Sequence, residues 1–340
     1  MSRISTREAI NRVIASELLR DRRTVYLGET IREGGATGAS RGLYQRFGER
    51  QVIETPVSEN GIVGASLGLA LSGYRPIVEI YSADFALAVA NEIMGDIPKW
   101  RQQQGRAGGL PITLRGWMGA VEGLGPEHSQ CMEAYFHHAP GLTIIVPGTP
   151  SDMAGLLRGA IRSPDPVLLL EHRRTYDMVD DVPDDPDYAI AIGKGQIIRD
   201  GNDLTMVAWG WMRHLALQAV ERLSAETLSA ELIDPRTIKP MDFDLIMRSV
   251  AKTGRLLVVE ESPLTGSVGG EILARATESL GQTIQVARVA MPDMIHPYSA
   301  RMEKHMLPDV NLITIAAHSL VRGTSRAAFV KNPFEQEKLH

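Results

Sequence analysis

Glu59 sits in the run T-P-V-S-E-N-G (Thr55 to Gly61), directly ahead of the apolar, glycine-bearing segment I-V-G-A-S-L-G-L-A-L. A lone carboxylate at the mouth of a buried helix gives up hydration with no evident partner. Such a group suits proton chemistry, holding a proton at one oxygen or sharing it with a bound base. A second candidate is His128, in the loop-like P-E-H-S-Q-C (126–131). Its imidazole titrates near neutrality, so it could move a proton or hold a carboxylate, although a lone loop histidine is more often structural. His137 and His138 fall near the end of a short helix, where dipole or capping roles suffice. Two familiar motifs are not supported. G-A-S-L-G (64–68) has the spacing of a nucleophile elbow, but the strand that must precede the serine is missing. G-L-G-P-E-H (123–128) has two glycines of a dinucleotide fingerprint and His in place of the third.

These residues need elements to hold them. Ser5 and Glu8 have capping-box spacing, and Ala9, Ile10, Val13, Ile14 and Leu18 recur at helical intervals. Strand patterns follow at 24–28, 76–81, 111–115, 142–147 and 166–171. A glycine-rich loop with a short helix fills 30–50, and helices are expected at 62–71, 84–97 (ended by Pro98) and 151–161. The stretch V-D-D-V-P-D-D-P-D (179–187) reads as a solvated linker, because the glycine and closing glutamate of a calcium loop are missing. A second alternation then begins: strands at 204–209, 229–234 and 255–260, helices at 212–224, 241–252 and 269–280. Mostly apolar strands alternating with helices imply parallel sheets covered on both faces. The fold class is therefore α/β, as two three-layer α/β/α domains. The bounds are 1–178 and 193–335, with an acidic linker at 179–192.

Bulk properties narrow the function. A net charge of −5 gives no reason to expect nucleic acid or an anionic membrane as partner. The single cysteine, Cys131, excludes an internal disulfide and any multi-cysteine metal site. The first residues lack a signal-peptide core and no apolar run is long enough to span a membrane, so a cytoplasmic protein is expected.

The motifs taken together resemble the β subunit of the thiamine-diphosphate-dependent first component of 2-oxo acid dehydrogenase complexes. The family's T-P-I-[ST]-E-x-G appears as T-P-V-S-E-N-G, and its G-L-[KR]-P-[IV]-x-E as G-Y-R-P-I-V-E (73–79). Its Q-H-S-[HQ] appears as E-H-S-Q (127–130), followed by A-P-G-L (139–142). In the second half D-P-R-T-I-K-P (234–240), T-G-R-L-L-V-V-E-E (253–261), G-S-V-G-G-E-I (266–272) and P-Y-S-A-R-M-E (297–303) keep order and spacing. The resemblance runs nearly end to end.

The resemblance implies a transketolase-like pyrimidine-binding domain followed by a transketolase C-terminal domain. It implies thiamine diphosphate shared with an α subunit that binds most of the magnesium, in an α2β2 assembly. D-G-N (200–202) reads as a hairpin turn rather than a diphosphate motif, as expected if that motif lies on the α chain. No metal ligand is assigned to this chain. Glu59 aligns with the glutamate that hydrogen-bonds the aminopyrimidine ring, Phe85 with the aromatic packed on it, and Val57 with an apolar pocket residue. Glu29 aligns with a glutamate of the acidic path linking two active sites, and His128 with a substrate-side histidine. The implied partners are a small 2-oxo acid and a lipoyl acyltransferase.

Some positions depart from the family. Asp84 precedes Phe85 where Asn is usual, 95–105 reads G-D-I-P-K-W-R-Q-Q-Q-G, 115–120 reads R-G-W-M-G-A, and Glu127 stands before His128. Ser163 stands where some relatives use Asp at a potassium site. These changes keep in view a second enzyme, the β half of a split transketolase-like carboligase; a non-catalytic assembly subunit is a third reading of another class.

Overall fold

The structure is a computed structural model describing residues 1–105, 108–281, 284–324 and 328–331. Residue 335, the expected end of the second domain, lies outside the described residues. The chain divides into two compact units. The first holds residues 1–118, 135–194 and 237–240; the second holds 119–134, 195–236 and the described residues from 241 onward.

In chain order the first part runs β1 (Ser2–Ser5), α1 (Thr6–Arg20), β2 (Thr24–Glu29), α2 (Leu43–Phe47), β3 (Val52–Thr55), α3 (Glu59–Leu71) and β4 (Arg75–Ser82). Then come α4 (Ile97–Gln104), β5 (Thr113–Met118), α5 (Glu133–His137), β6 (Thr143–Ile145), α6 (Pro150–Arg162), β7 (Val167–His172) and β8 (Val179–Val182). The rest comprises β9 (Gln196–Arg199), β10 (Leu204–Ala208), α7 (Met212–Ala225), β11 (Ala230–Asp234), β12 (Thr237–Lys239), α8 (Phe243–Thr253) and β13 (Arg255–Pro263). It ends with α9 (Val268–Leu280), β14 (Gln285–Met291), α10 (Ala300–Met306), α11 (Val310–Val321) and β15 (Ala328–Phe329).

The first unit is built on a seven-stranded sheet ordered β12-β6-β7-β5-β4-β2-β3, parallel except where β12 meets β6. β2, β5 and β7 are buried along their whole length, as strands covered on both faces must be. The second unit has a six-stranded sheet, β15-β14-β13-β10-β11-β9, parallel except for β9. Its core packs Leu204, Met206, Leu257, Val259 and Val289 from the strands against Ala216, Val220 and Leu223 of α7 and Ile313 and Leu320 of α11.

Four local expectations change. Pro98 starts a helix instead of ending one. Residues 83–89 form a 3-10 helix and 91–96 a π turn, and Pro98 then lies in the first turn of α4, where its missing N–H costs nothing. Asp200-Gly201-Asn202 does not close a hairpin, because β11 lies between β9 and β10. Gly201 instead crosses the start of β11 so closely that a Cβ would sit 2.2 Å from the Ala230 carbonyl carbon.

The acidic stretch is exposed but tied down. β8 pairs antiparallel with β1, Asp184 takes the Met1 amine at 2.7 Å, and Asp187 takes Arg20 and Arg162 at 2.5 and 2.9 Å. Arg20 lies on α1 and Arg162 on α6. Helix α3 is only half buried. Ile62, Val63, Ser66 and Ala70 face the core, while Gly61, Gly64, Ala65 and Gly68 are exposed. Apart from the helix's own backbone and the adjoining residues, no described atom lies within 4 Å of a Cβ built at Gly64 or Gly68.

Candidate active site

Four of the five expected site residues belong to the first unit. Ser58 caps α3, its Oγ accepting from Gly61 N at 3.4 Å. Glu59 follows in the first helical turn, where the aligned N–H groups favour negative charge. Asn60 Nδ2 donates to Ala88 O at 3.1 Å, which ties this turn to the 3-10 helix carrying Phe85. Phe85 is half buried. Val57 is 74% exposed, an apolar side chain left open two residues before the carboxylate. Thr55 Oγ1, at the end of β3, is buried without a hydrogen-bond partner.

Glu29 ends β2 and is 7% exposed. Burial pushes its carboxyl above the ordinary glutamate value, and the negative charges of Glu59 and Glu79 push it further the same way. The charge on Glu59 therefore favours the protonated form of Glu29. The first unit thus offers a buried carboxyl raised above its ordinary value near a second carboxyl, with exposed apolar surface at Val57.

His128 belongs to the second unit, in the loop 119–134. Its N–H closes a turn onto Gly125 O at 3.4 Å, and the ring is half exposed. Residues distant in sequence fix this loop. Ala120 N donates to Glu261 at 2.7 Å, Gly123 N to Glu303 at 2.5 Å, and Tyr298 OH to Glu127 at 2.7 and 2.9 Å. The tyrosine bond holds the Glu127 carboxyl below its ordinary range. The P-Y-S-A-R-M-E and V-V-E-E motifs thereby acquire a physical role, since Tyr298, Glu303 and Glu261 anchor the histidine loop.

Glu260 and Glu79 are among the buried acidic groups that escaped the sequence reading. Glu260, fully buried on β13, accepts from Ser267 Oγ at 2.5 Å and from Gly269 N at 3.2 Å, so it satisfies the start of α9. Burial pushes its carboxyl up to about 7, against the lowering effect of those donors. Glu79, on β4, joins a network with Arg115, Glu171, Tyr26 and Tyr176 in the first unit. For Glu79 the signal was present: a charged residue interrupting an otherwise apolar central strand is either paired or costly.

Comparison with known proteins bears on what these parts serve. The model of the transketolase pyrimidine-binding domain matches residues 2–178, and that of the transketolase C-terminal domain matches 193–313. The chain is 39% identical over 326 residues to the 2-oxoisovalerate dehydrogenase subunit beta of Bacillus subtilis (strain 168), covering 94% of this chain and 99% of that protein. The chain belongs to the family of β subunits of 2-oxo acid dehydrogenase E1 components. Other β subunits are also similar along most of the chain. The pyruvate dehydrogenase E1 component subunit beta of Rhizobium meliloti (strain 1021) is 38% identical over 91% of this chain and 68% of its own length. The acetoin:2,6-dichlorophenolindophenol oxidoreductase subunit beta of Cupriavidus necator is 35% identical over 94% and 98%. Among solved structures, one described as a split gene transketolase, inactive beta4 tetramer, superposes with a TM-score of 0.78 at 22% identity, covering 94% of this chain and 99% of that one. That likeness shows the shared transketolase fold, with mainly parallel sheets in two domains.

Proposed function

We propose that this chain is the β half of a thiamine-diphosphate-dependent E1 component that decarboxylates a 2-oxo acid and passes the acyl group to a lipoyl domain. Family membership sets the reaction class. The observation that carries the site assignment is the capped carboxylate Glu59, beside exposed Val57 and tied through Asn60 to the helix of Phe85. The unpartnered Thr55 hydroxyl and the open apolar surface suit a ring with one polar edge.

In this reading Glu59 holds the aminopyrimidine edge and keeps a proton at a carboxyl oxygen. When bound, thiamine diphosphate supplies the carbon nucleophile and the electron sink for decarboxylation. Val57 and Phe85 pack on the ring and exclude water from it. Glu29 stores a proton one step behind Glu59. His128 meets the substrate carboxylate or carries a proton at an imidazole nitrogen. The diphosphate and magnesium fall to an α subunit, in an α2β2 assembly that works with a lipoyl acyltransferase in the cytoplasm. The uncovered small-residue face of α3 is consistent with a chain that functions assembled. Among the described residues no helix is long and apolar enough to cross a membrane.

The test is Glu59→Gln in the complex reconstituted with its α partner. Assembly should persist while 2-oxo acid turnover falls about a hundredfold or more, the scale of a lost acid–base group. Unchanged turnover would remove Glu59 from the chemistry and return this chain to an assembly role.

A further inference from the structure

Glu29 is followed by a compact loop, 30–42, that starts under strain. Thr30 has φ of 54°, a left-handed conformation that a β-branched residue rarely adopts. Such a conformation persists only where its surroundings hold it. The loop closes on itself through Gly35 N to Thr30 O at 3.0 Å and Ser40 N to Gly34 O at 3.0 Å. Three side chains from outside grip it. Asn11 Nδ2 donates to Ala39 O and Arg41 O at 2.7 and 3.0 Å, Glu54 accepts from Arg32 N at 2.8 Å, and Glu79 Oε1 accepts from Ala36 N at 2.9 Å. The loop lies directly on Glu79: a Cβ at Gly35 would sit 2.3 Å from Glu79 Oε1.

The other oxygen of Glu79 faces inward. Oε2 accepts from Tyr26 OH and from Arg115 Nη1. Arg115 does not depend on that bond for its charge balance, because Glu171 grips the guanidinium at both ends, at 2.6 and 2.7 Å. Tyr176 OH completes Glu171 at 2.6 Å. The network thus holds two carboxylates for one arginine, all within the buried sheet. A surplus buried carboxylate is costly unless it serves another purpose. Among the described contacts, Glu79 is the member of the network that reaches the loop.

We propose that Glu79 is a positioning residue: anchored by Arg115 and Tyr26, it holds the loop 30–42 through Ala36 N and so fixes the Glu29 carboxyl relative to Glu59. Its two oxygens meet donors on two sides, the loop amide on one and the buried Arg115 and Tyr26 on the other. Only a carboxylate satisfies both. An amide in its place turns its oxygen to the charged donor, since charge-assisted bonds are about twice as strong as neutral ones, and its NH2 then meets Ala36 N–H. This inference rests on the role given to Glu29 and Glu59 above.

The experiment compares Glu79→Gln, Ala36→Pro and Tyr176→Phe in the assembled α/β complex, by amide hydrogen exchange of the loop peptide and by steady-state kinetics. Glu79→Gln should fold, since Glu171 keeps Arg115 paired. Its loop should exchange tenfold faster or more, with kcat down tenfold and KM for the 2-oxo acid within twofold. Ala36→Pro breaks the same bond from the loop side, leaves the buried network whole, and should give the same pattern. Tyr176→Phe touches only the far end of the network and should leave both readouts at wild type. Wild-type kcat in Ala36→Pro, or a fall of kcat in Glu79→Gln with loop exchange unchanged, would overturn the proposal. Loop exchange is independent of the chemistry. Faster exchange with full turnover, alongside an active Glu59→Gln complex, would locate the failure in the site assignment instead.

Discussion

The role proposed for Glu59 rests on its neighbours. Ser58 caps its helix, Val57 leaves apolar surface open beside it, and its charge bears on Glu29. Phe85→Ala should weaken thiamine diphosphate binding by about tenfold, roughly the 0.5–1.5 kcal/mol an aromatic contact adds plus lost area, as read by calorimetric titration of the assembled complex. Stability should be little changed, because Phe85 is only half buried. His128→Gln should raise KM for the 2-oxo acid more than it affects cofactor affinity, and equal effects on both would contradict a substrate-side role. Glu29, Val57, Glu59, Phe85 and His128 are proposed site residues that motifs bring forward, because a motif fixes identity and spacing. Glu79, Arg115 and Glu171 are not brought forward, because their meaning lies in cross-strand register. Glu79 stands opposite Arg115, and Arg115 lies two residues before the partner of Glu171. Nothing local announces that pairing.

At the scale of elements, Glu260 and helix α9 give a pH-dependent stability. The folded chain binds the Glu260 proton more tightly than the unfolded chain does. Between the ordinary value of 4.5 and about 7 the folded state therefore keeps a proton that the unfolded state has lost, and stability falls as pH rises through that window. At about 1.4 kcal/mol per pH unit the group accounts for ~3 kcal/mol. Glu260→Gln should flatten this slope, checked by denaturant unfolding from pH 4.5 to 8; an unchanged slope would assign the dependence to other groups. Ser267 Oγ and Gly269 N remain donors to the amide oxygen, so the helix start should survive. Periodicity found most helices and parallel strands here, since apolar spacing is a local property. It misplaced Pro98, which is as compatible with a first helical turn as with a stop. It also missed that β11 separates β9 from β10, a pairing set by the whole sheet.

The whole molecule is half of an enzyme on the reading proposed, and the acceptor decides which enzyme. The fold likeness to a split transketolase leaves donor and acceptor to experiment, whereas the similarity to E1 β subunits supports the 2-oxo acid dehydrogenase reading. The chain alone should show no turnover, and adding the α partner with thiamine diphosphate and magnesium should restore it. The decisive measurement is acyl transfer by that reconstituted pair, assayed with pyruvate and branched-chain 2-oxo acids plus a lipoyl domain, and in parallel with ketose donors plus an aldose acceptor. Acylation of the lipoyl domain by a 2-oxo acid, with no ketose turnover, is the expected result. Turnover of ketoses alone would contradict it.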